Sequence, residues 1–129
     1  MAFSESVTSP EPSREAIDAS TGATVLEFGA PWCGHCIAAR PLIEAALAPL
    51  PGVRHVRVED GRGRRLGRSY RVKLWPTLVF LRDGVEQARL VRPTEVRAID
   101  DAVARITMSS GAAGTESGTG RRRPAIALC

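Results

Sequence analysis

The topology of this chain is indicated most clearly by Trp32-Cys33-Gly34-His35-Cys36, two cysteines separated by two residues. The preceding run at 24–28, TVLEF, is apolar apart from one acid, too short for a helix and flanked by glycine, which indicates a buried strand. From Cys36 to Leu50, apolar and alanine residues recur at helical spacing, which predicts a helix that contains Pro41. The cysteine pair therefore lies between a strand and the start of a helix.

This placement favours redox chemistry. A cysteine at a helix N-terminus faces unpaired backbone N–H groups and the positive end of the helix dipole, and both stabilise the reactive thiolate. Cys33 is therefore the candidate nucleophile, and a protonated His35 would add a positive charge beside it. Cys36, one helical turn further on, is the candidate resolving thiol that releases a mixed disulfide.

Two other interpretations of the cysteine pair stay open. A structural zinc site needs four ligands, and the remaining candidates are His35, His55 and Cys129, with no second closely spaced pair. His35 stands between the two cysteines and cannot easily share a metal with them, so we predict no metal. The pair could also be two inert buried thiols, but the strand-to-helix context favours a redox dithiol.

The rest of the chain predicts an α/β fold. The elements read as helix, strand, helix, strand, short helix, hairpin and helix, with Asp83-Gly84 as the hairpin turn. A strand–helix–strand unit followed by a hairpin predicts a three-layer α/β/α sandwich with a mixed sheet of four or five strands. We expect a flexible N-terminal segment at 1–12, one domain at 13–107, and a disordered tail rich in Gly, Ser and Arg at 108–129.

Charge and composition narrow the choice of partners. The chain has 129 residues and a net charge of +4, but the excess of basic residues is concentrated at 54–73 and in the tail. The arginine-rich loop 62–71 lacks the interleaved aromatic residues that stack on bases, so a solvated loop is favoured over a nucleic-acid site. The tail cysteine, Cys129, is expected to be a bystander thiol rather than a site of mixed-disulfide formation.

These features together resemble the thioredoxin superfamily over roughly residues 13–107. The matching pieces are the strand and the Cys-x-x-Cys stretch, Pro41, the segment 70–80 and the Asp83-Gly84 turn. The sequence Cys-Gly-His-Cys is similar to that of protein disulfide isomerase domains, whereas cytosolic thioredoxins usually have proline in place of His35. The resemblance implies a thioredoxin fold and a thiol–disulfide oxidoreductase that reduces or exchanges protein disulfides, with no bound cofactor.

The resemblance also implies roles for residues outside the motif. Pro76 corresponds to a cis-proline that packs against the disulfide, and Trp75 should line the substrate groove, with Trp32 at its rim. Arg92 falls where the family often has glycine, which should make the rim bulkier and more positive.

A carboxylate in an apolar strand is costly unless it is paired or protonated. Glu27 corresponds to the family's buried acid, so we hypothesise that it assists deprotonation of Cys36, directly or through water. The alternative is that Glu27 simply points to solvent.

The implied partners are disulfide-containing proteins and a reductant, either a thioredoxin-reductase-like protein or another thiol. We expect a monomer. We also expect no membrane contact, because no apolar run approaches the roughly 20 residues that span a bilayer. The first residues show no secretory signal, which favours the cytoplasm. The alternatives are an oxidase or isomerase, and an adaptor whose partner binding depends on the redox state of Cys33 and Cys36.

Overall fold

The computed structural model describes residues 11–107 of the chain. The elements of this part are α1 (Arg14–Asp18), β1 (Ala23–Gly29), α2 (Gly34–Leu47), β2 (Arg54–Glu59), α3 (Arg65–Ser69), β3 (Thr77–Arg82), β4 (Val85–Val91) and α4 (Val96–Thr107). Their order is the predicted one. The expectations for segment 1–10, for tail 108–129 and for Cys129 concern residues outside the described part.

The strands form one mixed sheet with the order β2-β1-β3-β4. Strand β1 pairs with β2 in parallel and with β3 antiparallel, and β3 pairs with β4 antiparallel. Of the two predicted strand numbers, four is the one found within residues 11–107.

Each face of the sheet is covered by helices, which confirms the three-layer architecture. Alternate residues of a strand point to opposite faces, so Val25 packs with α2 and α4, whereas Leu26 packs with α1 and α3. Both side chains are fully buried. Because β1 is buried on both faces, its sequence is a mostly apolar run, in which Thr24 and Glu27 are the buried polar residues.

The predicted hairpin turn is confirmed at Asp83 and Gly84. Both residues have positive φ, 51° and 80°, as a two-residue type I′ turn requires. Gly84 is further required because a Cβ there would collide with the backbone carbonyl of Asp18. The Asp83 carboxylate accepts a hydrogen bond of 2.7 Å from the backbone N–H of Gly22, which ties the hairpin to the loop before β1.

Two boundaries differ from the sequence expectation. Helix α2 begins at Gly34 rather than Cys36, because Cys33 has extended backbone angles and is the N-cap. Glu11, expected in the flexible segment, instead caps α3, since its Oε2 accepts hydrogen bonds of 2.8 and 3.2 Å from the backbone N–H groups of Arg65 and Leu66. Glu11 is therefore in contact with the domain, at the start of α3.

Candidate active site

The two cysteines lie at the carboxyl end of β1, where the chain turns into α2. Cys33 is the N-cap of α2, and its backbone carbonyl accepts the first helical hydrogen bond, 3.0 Å from the N–H of Ile37. Cys33 is 8% exposed and Cys36 is 2% exposed, and both are free thiols. Cys33 is thus the thiol nearer the surface, as expected for the attacking residue.

Opposing effects act on the Cys33 thiol. Burial alone would raise its pKa, but a hydrogen bond from the Cys36 side chain, backbone hydrogen bonds at Cys36 and His35, and the charge of Arg92 together leave the pKa below its usual value. The helix N-terminus therefore stabilises the thiolate as the sequence predicts. His35 contributes its backbone N–H, while its side chain is exposed.

The Cys36 thiol is perturbed in the opposite direction. Burial raises its pKa to about 11, and the neighbouring Cys33 and the negative charge of Glu27 add to the effect, against a backbone hydrogen bond at Ala30. A thiol with this pKa stays protonated at neutral pH and needs a proton acceptor before it can attack a disulfide.

Cys36 and Glu27 line the same small pocket. Gly29 lies against Cys36 so closely that an added Cβ would be 2.5 Å from the Cys36 Sγ. Glu27, Gly29, Cys36 and Arg57 line a small pocket of about 40 Å³, and about 10–15 Å³ of such space suffices for a water molecule. The pocket that both side chains line is therefore large enough for a water molecule.

Glu27 is 4% exposed, so the alternative that it points to solvent is wrong. Its Oε1 is 2.8 Å from His55 Nε2, a hydrogen-bond distance, and 3.8 Å from Arg57 Nε. These two basic partners compensate for burial of the carboxylate. Sequence reasoning missed both, although the alternation of His55 and Arg57 with Val56 and Val58 signals one polar face on β2.

Two tryptophans, Trp75 and Trp32, lie beside Cys33 and are called the tryptophan wall below. Trp75 packs against the cluster of Ala30, Cys33 and Cys36, and its indole N–H donates a hydrogen bond of 2.9 Å to Asp60 Oδ2. The Trp75–Pro76 peptide bond is cis. Sequence reasoning did not assign a role to Asp60, which joins the end of β2 to this wall.

Trp32 extends this wall towards solvent. Its ring meets Trp75 edge-on, with ring centroids 5.5 Å apart, and the residue is 72% exposed. An exposed aromatic residue beside a reactive thiol offers an apolar surface to a bound polypeptide. The substrate groove expected at Trp75, with Trp32 at its rim, stays a prediction.

Arg92 lies on the other side of Trp75. Its Nε donates a hydrogen bond of 2.9 Å to the Trp75 carbonyl, and its backbone N–H donates to the Pro76 carbonyl at 2.9 Å. Its φ of 53° is in the left-handed region that favours glycine. The chain thus keeps a backbone conformation suited to glycine but places a cation there.

The remaining candidates from the sequence are Gly34, the arginine-rich loop 62–71, and possible metal or membrane sites. Gly34 is exposed in the first turn of α2, with nothing within 4 Å of an added Cβ. Within the loop 62–71, Arg64 pairs with Glu59 at 3.7 Å. Among residues 11–107, no cluster of three or more His, Cys, Asp or Glu could hold a metal, and no helix is both long and apolar enough to cross a membrane.

Comparison with known proteins identifies the family of this chain. The thioredoxin family profile matches residues 5–105. The chain is 36% identical to thioredoxin from Chlamydia trachomatis over 72 residues, 56% of this chain and 71% of that protein. It is 37% identical to protein disulfide-isomerase A3 of Gallus gallus over 93 residues, 71% of this chain but only 18% of that protein.

Among solved structures, thioredoxin 2 from Pseudomonas aeruginosa PAO1 in its reduced form is similar, with 52% identity and a TM-score of 0.68. The match covers 74% of this chain and 89% of the other. The chain therefore belongs to the thioredoxin family. It has the thioredoxin fold and is a thiol–disulfide oxidoreductase.

Proposed function

We propose that this oxidoreductase reduces protein disulfides, with Cys33 as the nucleophile and Cys36 as the resolving thiol. The observation that carries the assignment is the opposite perturbation of the two thiols: Cys33, at the helix N-terminus, has a lowered pKa, while the pKa of buried Cys36 is raised to about 11. Only the first is primed to attack at neutral pH.

The reaction proceeds in two exchanges. The Cys33 thiolate attacks one sulfur of the substrate disulfide, forming a mixed disulfide and releasing the other substrate sulfur as a thiolate that takes up a proton. Cys36 then loses its proton and attacks the Cys33 sulfur, which forms the Cys33–Cys36 disulfide and releases the second substrate thiol. Two electrons pass to the substrate.

Glu27 is proposed as the acceptor of the Cys36 proton. It is buried on the same side of β1 as Gly29, which touches Cys36, and its contacts with His55 and Arg57 hold the carboxylate in place. Its charge disfavours the Cys36 thiolate until the carboxylate accepts the proton, so transfer removes the repulsion that opposed it.

The substrate would lie against Trp32 and Trp75, the two tryptophans beside Cys33, and against Pro76, which follows Trp75 in the chain. A thioredoxin-reductase-like protein or another thiol would restore the dithiol by giving two electrons back to the Cys33–Cys36 disulfide. No bound cofactor takes part in these exchanges. We place the protein, as a monomer, in the cytoplasm, where thiols are kept reduced.

Reduction of insulin by dithiothreitol, followed as turbidity, tests the proposal. The wild type should accelerate it, and Cys33→Ser should abolish the acceleration. Low turnover combined with partner binding that changes with the redox state would indicate an adaptor instead. Net oxidation of reduced proteins in a glutathione buffer, without insulin reduction, would indicate an oxidase or isomerase.

A further inference from the structure

Arg92 forms no ion pair with any carboxylate among residues 11–107. The ion pairs among residues 11–107 involve six basic side chains, those of Arg14, His55, Arg57, Arg64, Arg82 and Arg89, and not Arg92. The Arg92 side chain is nevertheless held in place rather than free, because its Nε is bound to the Trp75 carbonyl. Arg92 is therefore an oriented, exposed cation that no carboxylate among residues 11–107 neutralises.

The fixed geometry leaves the far end of the guanidinium available. Its Nε–H is used by Trp75, and the terminal nitrogens make no hydrogen bond within residues 11–107. The two terminal nitrogens of arginine present parallel N–H groups that match the two oxygens of a carboxylate. Because the side chain is already oriented, less rotamer entropy is lost when an anion binds.

The Arg92 guanidinium also lies close enough to the Cys33 sulfur for its charge to favour the thiolate. Trp75 contacts both the Cys33 cluster and Arg92, and the Arg92 charge favours the Cys33 thiolate. A substrate whose disulfide has reached Cys33 would bring its flanking residues next to this guanidinium. The charge of those residues should then influence binding.

We propose that Arg92 is a specificity residue that binds a carboxylate beside the substrate disulfide, so that the protein prefers disulfides flanked by aspartate or glutamate. The inference rests on the proposed function of Cys33 and goes beyond it by naming the substrate class. A flanking lysine would meet the same charge and be disfavoured.

Three peptides test this, each with one intramolecular disulfide and a fluorescent reporter, differing only in a Glu, Gln or Lys next to a cysteine. Reduced protein is mixed with each peptide without recycling reductant, and the second-order rate constant is measured. The Glu peptide should react about threefold to fivefold faster than the Gln peptide, the scale of one exposed ion pair. The Lys peptide should be slowest, and high salt should compress the series.

Variants then assign the preference to one residue. Arg92→Gln should slow all three peptides through the less stable thiolate, but the Glu-to-Lys ratio should fall to near one. Arg54→Gln, which removes the same charge from the start of β2 at the opposite end of the sheet, should preserve the ratio. Arg92→Lys keeps the charge and should keep part of the preference.

The outcomes are distinguishable. Equal wild-type rates for the three peptides, a ratio that survives Arg92→Gln, or a ratio that is insensitive to salt would each overturn the role of Arg92 while leaving the function of Cys33 intact. Failure of the wild type to reduce any peptide would overturn both. If Arg92→Gln does not fold, as judged by circular dichroism, the Arg92→Lys ratio and the salt dependence decide the matter.

Discussion

Glu27 Oε1 and His55 Nε2 are 2.8 Å apart, although 28 residues separate them in the sequence. The contact joins parallel strands β1 and β2, and it fixes a buried carboxylate on the face of the sheet that lies under Cys36. Arg57, on the same strand as His55, is 3.8 Å from the same oxygen. Two basic side chains thus hold a buried carboxyl group in the pocket that Cys36 also lines.

Replacing Glu27 with glutamine removes the proposed acceptor and keeps the side-chain shape. We expect resolution of the mixed disulfide to slow on the order of 100-fold at neutral pH, the lower end of a general-base contribution. The rate should then rise steeply with pH, because deprotonation of Cys36 depends on solvent hydroxide. Stopped-flow measurement of the second exchange from pH 6 to 10 gives the profile. Glu44→Gln, an exposed change on the same helix as Cys36, is the control, and an unchanged profile for Glu27→Gln would refute the role.

Alkylation should distinguish the two thiols by pH. The pKa of Cys33 is lowered and that of Cys36 is raised to about 11, so iodoacetamide at neutral pH should modify Cys33 first. Cys36 should react only as the pH approaches its raised pKa. Arg92→Gln should move the Cys33 profile to higher pH, because a cation that favours the thiolate is lost.

Mass spectrometry of the alkylated peptides, in a Cys129→Ser background, reports each site separately. Equal reaction of Cys33 and Cys36 at neutral pH would contradict the assignment.

Asp60 is expected to hold Trp75 in the wall beside Cys33. Asp60→Ala leaves the indole N–H without its charged acceptor, so the free energy of unfolding should fall by about 1–3 kcal/mol. Tryptophan fluorescence should change, and KM for a protein disulfide should rise more than kcat falls. Asp60→Asn keeps an oxygen acceptor and serves as the matched control. If the alanine and asparagine variants behave alike in urea unfolding and fluorescence, the hydrogen bond is not what positions Trp75.

The redox potential is expected between about −270 mV, the value of thioredoxin, and about −180 mV, the value of protein disulfide isomerase. A group that stabilises the thiolate stabilises the reduced form and raises the potential, and a protonated His35 would act in this way. His35→Ala should therefore make the couple more reducing. Equilibration in glutathione buffers measures the redox potentials of the wild type and of His35→Ala. A wild-type potential below that of thioredoxin would remove the role given to His35.

The local parts of this structure could be predicted from the sequence. The dithiol between a strand and a helix and the Asp83-Gly84 turn each depend on residues that are near one another in the chain. Their spacing and backbone preferences therefore sufficed. Helix α2 begins at Gly34, two residues before the expected start at Cys36, because helix ends are defined less sharply by sequence than helix interiors.

The contacts that tune the site could not be predicted in this way. His55 meets Glu27 only because β1 and β2 pair in a particular register, and Asp60 meets Trp75 only after the sheet has formed. A one-residue change of register would turn His55 away from Glu27. The side chain of Arg92 could be predicted to add charge, but its anchoring to the Trp75 carbonyl required the fold.

Trapping of the mixed disulfide tests the central claim most directly. In a Cys129→Ser background, Cys36→Ala should accumulate a covalent adduct with a disulfide substrate, and peptide mapping should locate the bond at Cys33. Cys33→Ser should form no adduct and show no turnover. An adduct joined through Cys36 in the Cys33→Ser variant, or reduction that survives Cys33→Ser, would contradict the assignment of Cys33 as nucleophile and Cys36 as resolving thiol.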